Sequence, residues 1–365
     1  MNNLLQFKPN WTYIQQPMTE DVKNNVNSHE KKRGHAVALF SGGLDSALAV
    51  LLVLQQNIEV TAITFMTHFG CDLGDRSSCG SNPYPAAEKY GFNVKLMHLG
   101  QKFVDIVENP KYGRGKNMNP CTDCRILMLS EAKELMEMLN ADFIFTGEVM
   151  GQRPMSQVKD KLFLVEKETG LRGKLVRPLS AKLLPPTEPE LSGLLDREKL
   201  EGISGRSRHR QIELAEEFGL EDYPSPASGC LLTDEGYSNR LRDLLQYSGH
   251  LTFDDLNLLR VGRHFRLDRN TKVIVGRNEH ENNQLLSYKK TNHRHLEVMG
   301  VGSPVVLLVG DTSEENQIKA GMIGARYTTA RDKNEVAVAV MDLESQPELI
   351  VTPAKDVDLQ PIIIK

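Results

Sequence analysis

No apolar run in this chain approaches the ~20 residues that a membrane-crossing helix requires, so a spanning segment is excluded. The stretch from Met1 to about Lys32 is polar, holds the only tryptophan (Trp11) and lacks the apolar core of a secretory leader. It reads as a loosely docked N-terminal extension, residues 1–33, of a cytoplasmic protein. Cysteine is scarce, with five residues: Cys71, Cys79, Cys121, Cys124 and Cys230. An odd number without an export signal argues against a disulfide framework. The net charge of −4 offers a nucleic acid no global attraction. Internal repeats and low-complexity tracts are missing too. What remains is an ordinary soluble composition, 40% hydrophobic and 25% charged, over 365 residues, enough for two or three domains.

The most informative feature is a loop that lacks a lysine. Residues 41–46 read Ser-Gly-Gly-Leu-Asp-Ser, after the apolar run Ala36 to Phe40 and before the apolar stretch Ala47 to Leu52. A buried strand, a glycine-rich loop and a helix turn backbone N–H groups and a helix N-terminus toward one point, where phosphates bind. A kinase-type loop would carry G-x-x-x-x-G-K-[ST], with the lysine on the β- and γ-phosphates. Here Gly42 and Gly43 let the backbone close on a pyrophosphate, Ser41 and Ser46 can donate to it, and Asp45 can help hold a magnesium ion. The loop resembles that of the ATP pyrophosphatase superfamily. The resemblance implies that ATP is split between its α- and β-phosphates and that a substrate oxygen is adenylated.

From Gly34 to about Ser180, strands alternate with helices. Val60 to Phe65 and Val94 to Leu99 read as strands, Tyr84 to Tyr90 and Cys124 to Leu139 as helices, and Ala141 to Thr146 as a further strand. The alternation predicts a doubly wound parallel sheet with helices on both faces, residues 34–182, and places the phosphate loop at the carboxyl edge. The proline-rich run Leu183 to Pro189 ends this regime. A mostly helical connector, residues 183–250, follows, with helix expected from Leu191 through Phe218 and around Tyr237 to Tyr247. A small α+β domain, residues 251–365, is expected to hold strands at Lys272–Val275, Pro304–Val309, Val336–Met341 and Leu349–Thr352.

Cys121 and Cys124 form a C-x-x-C in Asn119-Pro120-Cys121-Thr122-Asp123-Cys124, at the start of a helix, where the dipole favours a reactive thiolate. Cys230 is distant in sequence, in the Pro/Ser/Gly-rich stretch Ser225 to Thr233. Three thiolates can ligate three irons of a [4Fe–4S] cluster, leaving the fourth open to sulfide or substrate. A zinc site and persulfide chemistry are the alternatives, although structural zinc takes four ligands. Cys71 and Cys79 bracket a Gly/Ser/Asp-rich loop and are either incidental thiols or supplementary ligands or sulfur relays.

At this point the resemblance becomes narrower. The 41–46 loop, Gly113 to Cys124, Thr146 to Pro154, Leu175 to Leu179 and the Cys230 loop together resemble the tRNA-thiolating ATP pyrophosphatases, among them the 2-thiouridylases and 4-thiouridine synthetases. The likeness spans roughly residues 34–235. It implies that an adenylated base carbonyl is attacked by sulfur and AMP leaves, with tRNA as partner and sulfide or a persulfide carrier as donor. The 2-thiouridylases place an acidic residue and one cysteine where this chain has Cys121 and Cys124, which favours the cluster. Arg260 to Arg266 and Val273 to Asn283 resemble the RNA-binding domain of the NFACT family. From Arg260 to His295 there are nine Lys/Arg against three Asp/Glu, an excess that can follow a phosphate backbone.

The expected catalytic set is Cys121, Cys124, Cys230 and Asp45. ATP is assigned to Ser41, Gly42, Gly43, Asp45, Ser46, Phe65, Gly147 and Arg153, and a metal centre to the three cysteines. Thr64 to Met66 and Gly147 to Arg153 follow parallel strands and face the same crevice. Arg153 and Arg177 are either phosphate stabilisers or ion-pair residues. Arg206, Arg208, His209 and Arg210 form a basic knot that either meets tRNA or starts a solvated helix. Three rivals stand beside this reading: an amide-forming adenylating enzyme, a thiolation enzyme with a non-tRNA substrate, and a non-catalytic RNA-binding protein with a relict loop. A homodimer is left open.

Overall fold

A computed structural model describes residues 32–70, 82–153, 156–220, 230–343 and 347–365. The N-terminal extension with Trp11, the Cys71 and Cys79 loop, Pro154 and the 221–229 part of the Cys230 loop lie outside the described residues. The chain divides into two compact units, residues 1–231 and 232–365. The connector expected over 183–250 is thereby shared between them.

The first unit is built on a five-stranded parallel sheet in the order β3-β2-β1-β4-β5, with β1 Gly34–Leu39, β2 Ile58–Met66, β3 Asn93–His98, β4 Phe143–Thr146 and β5 Leu175–Val176. Its helices are α1 Leu44–Leu54, α2 Tyr84–Tyr90, α3 Gly100–Glu108, α4 Cys121–Met138, α5 Lys159–Thr169, α6 Glu188–Leu191 and α7 His209–Glu217. Alternation along the strands fills both faces. Ala36, Ala38 and Phe40 of the β1 segment, with Phe143 and Phe145 of β4, pack into one layer with α1 and α7. Val37, Leu39 and Ile144 are buried on the opposite side of their strands, and α4 lies against β1 and β4. The strands therefore read as unbroken apolar runs, as a sheet covered on both faces demands. The expected doubly wound parallel sheet is what the structure contains.

The connector is less helical than expected. Between residues 183 and 220, only α6, two short 3-10 turns and α7 interrupt an extended path, while the helix expected around Tyr237 to Tyr247 is present as Glu235–Ser248. Gly193 and Gly205 adopt left-handed backbone. Arg197 donates to the carbonyls of Ala181 and Leu184, both at 2.8 Å, so side-chain anchoring replaces the helical ladder.

The second unit is α+β, on a seven-stranded antiparallel sheet in the order β11-β10-β8-β9-β7-β6-β12. Its elements are α8 Glu235–Ser248, α9 Phe253–Leu259, β6 Arg263–Arg266, β7 Lys272–Val275, α10 Glu279–Tyr288, β8 Arg294–Val298, β9 Val306–Val309, α11 Glu314–Arg326, β10 Val336–Val340, β11 Glu348–Val351, α12 Asp356–Leu359 and β12 Ile363–Ile364. Phe265, Val273, Leu296 and Val306 pack with Ala320 and Ile323 of α11, while Ile274 and Leu307 pack with Leu258 and Leu285. Strands β6, β8 and β12 were not expected from the sequence.

Candidate active site

The turn from β1 into α1 carries the phosphate loop. Gly42 has φ of +74°, the left-handed region that glycine enters without steric cost. Gly43 is the N-cap of α1 and gives it no side-chain cap, so the first amides of the helix are uncapped by the loop itself. The two serines brace the turn. Ser46 Oγ donates to Gly43 O at 2.8 Å and accepts from Ser41 N at 3.3 Å, and the two hydroxyls lie 3.2 Å apart.

The segment after β4 closes directly on this loop. A Cβ on Gly147 would lie 2.6 Å from the Asp45 carbonyl and from Ser46 N, so only glycine fits at the expected Gly147 position. Three residues beyond Val149, Gln152 donates to Asp45 Oδ2 at 3.1 Å. The chain at 203–208 returns beside it: Gly205 N donates to Met150 O at 2.8 Å, and Ser180 Oγ bridges Met150 N and Ile203 O. Arg208 thereby reaches Asp45 Oδ2 at 3.6 Å. Asp45 Oδ1 is buried and has no hydrogen-bond partner among the described residues. A carboxylate with one oxygen held and the other unpartnered suits a hard cation such as Mg²⁺.

Helix α4 brings Cys121 and Cys124 to the same edge. Its C-terminal end leads into β4 through Ala141 N to Met136 O and Asp142 N to His35 O, so its N-terminus lies toward the carboxyl ends of the strands. Asp123, between the two cysteines, accepts from Lys111 N at 2.9 Å and Tyr112 N at 3.0 Å, folding the preceding loop onto the helix start. Asn119 Nδ2 donates to Cys121 Sγ at 3.1 Å. Cys124 Sγ lies 4.0 Å from Met128 Sδ.

A buried ion-pair network joins this helix to the 147–153 segment. Glu148, 3% exposed, meets Arg125 Nε at 3.1 Å through Oε1 and Arg177 Nε at 3.1 Å through Oε2. Thr146 Oγ1 also donates to it, and Arg177 pairs in addition with Glu166. Burial pushes the Glu148 carboxyl up, but Arg125 and Arg177 outweigh it and hold the group below the usual carboxylate range. Of the two roles open to Arg177, the structure selects the ion pair: its side chain is buried between two carboxylates.

Phe65 is buried in β2, and Arg153 is exposed. The basic knot divides, with Arg208 on Asp45 and Arg206 and His209 exposed. Arg210 is clamped by Glu201, Glu217 and Glu213, whose hydrogen bonds raise its pKa. Cys230 is half-buried, like Cys121 and Cys124. The next residue, Leu231, donates to Phe69 O at 3.0 Å, which ties Cys230 to the turn beyond β2. Among the described residues no three Cys, His, Asp or Glu side chains gather as a metal site, so the cysteines are not drawn together as a ligand set. Gln152 and Glu148 were read only as part of the Gly147 to Arg153 segment, and Arg125 went unread in the sequence. Their only signal is adjacency to Gly147 and Cys124.

Comparison with known proteins bears on these same segments. Residues 31–181 match the model of the thiamine biosynthesis protein (ThiI), and residues 262–361 match that of the NFACT protein RNA binding domain. The chain is 23% identical to a tRNA-specific 2-thiouridylase MnmA of Pelotomaculum thermopropionicum, covering 57% of this chain and 58% of that protein. It is 26% identical to a probable tRNA sulfurtransferase of Thermococcus kodakarensis, covering 40% and 37%. A bifunctional protein NifU/MnmA of Rubrobacter xylanophilus is 27% identical over 37% and 30%. The chain thus spans between 30% and 58% of the length of these relatives. Among solved structures, a 4-thiouridine synthetase–RNA complex with bound ATP is similar at 20% identity and a TM-score of 0.33, over 51% and 52% of the two chains. The resemblance to the tRNA-thiolating ATP pyrophosphatases, followed by an NFACT-like RNA-binding segment, is borne out for the two stretches that these family models match.

Proposed function

We propose that the protein is an ATP-dependent tRNA sulfurtransferase that adenylates a base carbonyl and replaces its oxygen by sulfur. The observation that carries this reading is the 41–46 loop, with Asp45 half-engaged at the sheet edge to which α4 brings Cys121 and Cys124. Residues 34–182 form the catalytic part in this reading, 183–250 the connector with the third cysteine, and 251–365 the RNA-binding part.

Ser41, Gly42, Gly43 and Ser46 bind the pyrophosphate moiety of ATP, with the first amides of α1 aimed at its charge. Asp45 would hold Mg²⁺ through its unpartnered oxygen, and the ion would offset charge on the leaving pyrophosphate. Gln152 and Arg208 fix the other carboxylate oxygen and keep Asp45 oriented. Phe65, Gly147 and Arg153 border the nucleotide. The base oxygen attacks the α-phosphorus, the α–β bond breaks, and pyrophosphate leaves. Sulfide then adds to the activated carbon and loses its proton; from a persulfide carrier the terminal sulfur adds instead, and a second thiol then cuts the S–S bond and forms a disulfide with the carrier. The C–O bond breaks, AMP departs, and the carbon–sulfur double bond remains. Cys121, Cys124 and Cys230 supply the right donor atoms for a [4Fe–4S] cluster, but as placed they do not form its ligand set. No step is therefore routed through a cluster. Anaerobic purification with an absorbance spectrum tests it: a band near ~400 nm, lost in Cys121→Ala, supports the cluster.

Thionucleoside analysis of bulk tRNA from a strain lacking the gene tests the function. Loss of one thiolated nucleoside, restored by the wild-type gene but not by Asp45→Ala, is expected. An unchanged profile overturns the tRNA reading.

A further inference from the structure

Within the proposed function, whose ATP-binding loop and cysteines it takes as given, one group touches both halves of the chemistry. We propose that Glu148 is a positioning residue: its carboxylate is the joint through which nucleotide bound at the 41–46 loop sets the placement of Cys121 and Cys124.

The residue before it, Gly147, abuts the backbone of Asp45 and Ser46 so closely that no side chain fits. Movement of the phosphate loop must therefore move Gly147, and Glu148 with it. On the other side, Glu148 Oε1 grips Arg125, the residue next to Cys124 and one helical turn beyond Cys121. Arg177 fixes Oε2 from beneath and is itself pinned by Glu166 and by Leu162 O at 3.4 Å. The network holds two guanidinium groups and two carboxylates, so its charge is balanced. Of the two arginines, only Arg125 reaches toward solvent, at 28% side-chain exposure against 1% for Arg177. Arg177 is the buried base of the network and Arg125 its solvent-facing arm. A buried ion pair is a costly way to obtain stability alone, but its directional geometry fixes one arrangement of the cysteine helix against the phosphate loop.

Alkylation of Cys121 and Cys124 by iodoacetamide, mapped by peptide mass spectrometry, reads this coupling without tRNA or a sulfur donor. The nucleotide is α,β-methylene-ATP with Mg²⁺, which occupies the loop without being cleaved between the α- and β-phosphates. In the wild type, nucleotide is expected to change the alkylation rate by about fivefold or more, the lower end of ordinary coupling between sites. Glu148→Gln and Arg125→Ala are expected to lose that change while binding the nucleotide as well as the wild type. Arg125→Ala works from the solvent-facing end of the network, where folding tolerates it best. Glu166→Gln removes a carboxylate from the same network without touching α4, and it should keep the wild-type response. A response that survives in Glu148→Gln and Arg125→Ala, or that is lost equally in Glu166→Gln, overturns the proposal. A wild-type chain that binds nucleotide but shows no response also overturns it, and leaves the functional reading standing. A wild-type chain that binds no nucleotide overturns both.

Discussion

The two units treat charge in opposite ways. In the parallel-sheet unit, charged and polar groups from separate segments converge on one point: Gln152 and Arg208 both reach Oδ2 of Asp45, and its second oxygen is left without a described partner. In the antiparallel unit, the basic stretch is largely neutralised from within. Arg266 pairs with Asp243, Arg277 with Glu281, Lys289 with Asp342 and Lys290 with Asp254. Arg263 lies 4.6 Å from the Tyr327 ring centroid, and Lys272 is buried. Nine cations in a stretch of sequence are therefore not nine cations facing a ligand. A parallel sheet collects the loops after its strands at one edge whatever their composition. An antiparallel sheet returns each strand to its neighbour, and its long side chains find carboxylates there.

The comparison breaks most sharply at Asp45. Asp45→Asn should lower ATP cleavage by about a hundredfold or more, the scale of losing one charge-stabilising group, and leave RNA binding by the chain unchanged. Pyrophosphate release and a filter-binding assay check both halves. Next comes the cost of removing a buried cation. Arg177→Met leaves Glu148 and Glu166 short of a partner in a dry site and should destabilise the first unit by about 3–5 kcal/mol. Arg266→Met, whose partner Asp243 is also only partly exposed, should cost the second unit about 1–3 kcal/mol. Urea denaturation of the full chain, followed unit by unit through hydrogen exchange, reads the difference. Equal losses would remove the contrast.

A smaller effect separates two glycines. Gly147→Ala drives a methyl group into the Asp45 backbone, an overpacking cost of about 1–3 kcal/mol, and should weaken ATP binding about tenfold or more. Gly302→Ala, with open space around the added atom, should change neither binding nor stability. Titration calorimetry with ATP distinguishes them.

The smallest effect is at Lys272. Burial pulls its pKa down from 10.5 to about 8, with Arg266 and Arg240 adding and Asp243 and Asp255 opposing. Between those two pH values the unfolded chain holds a proton that the folded chain has shed, so stability from this group rises with pH. Below pH 8 both states are protonated and the folded one carries the burial penalty. Lys272→Met should raise Tm at pH 7 and remove the upward drift between pH 8 and 10. Parallel pH profiles of wild type and variant would contradict this.

How much of this was legible in the sequence follows from the same contrast. The first sheet was readable because its strands are covered on both faces and appear as apolar runs, Ala36 to Phe40 and Val60 to Phe65 among them. The phosphate loop was readable because glycine at Gly42 and Gly147 answers a steric demand. Strands β6 and β8 were hidden because Arg263, Arg266 and Arg294 carry cations at their ends, masking the alternation of Phe265 and Leu296. The connector misled because its apolar residues are spaced as in a helix, while Arg197 and two left-handed glycines hold it extended. The Arg208–Asp45 contact was out of reach: only the return of the chain at 203–208 brings that arginine to the phosphate loop.

The most direct measurement is product analysis with purified wild-type protein, ATP, Mg²⁺, a sulfide source and unmodified tRNA. The proposed chemistry predicts AMP, pyrophosphate and thiolated nucleoside in equal amounts, each lost together in Asp45→Asn. Release of ADP and phosphate, or AMP formed without any thionucleoside, would contradict it.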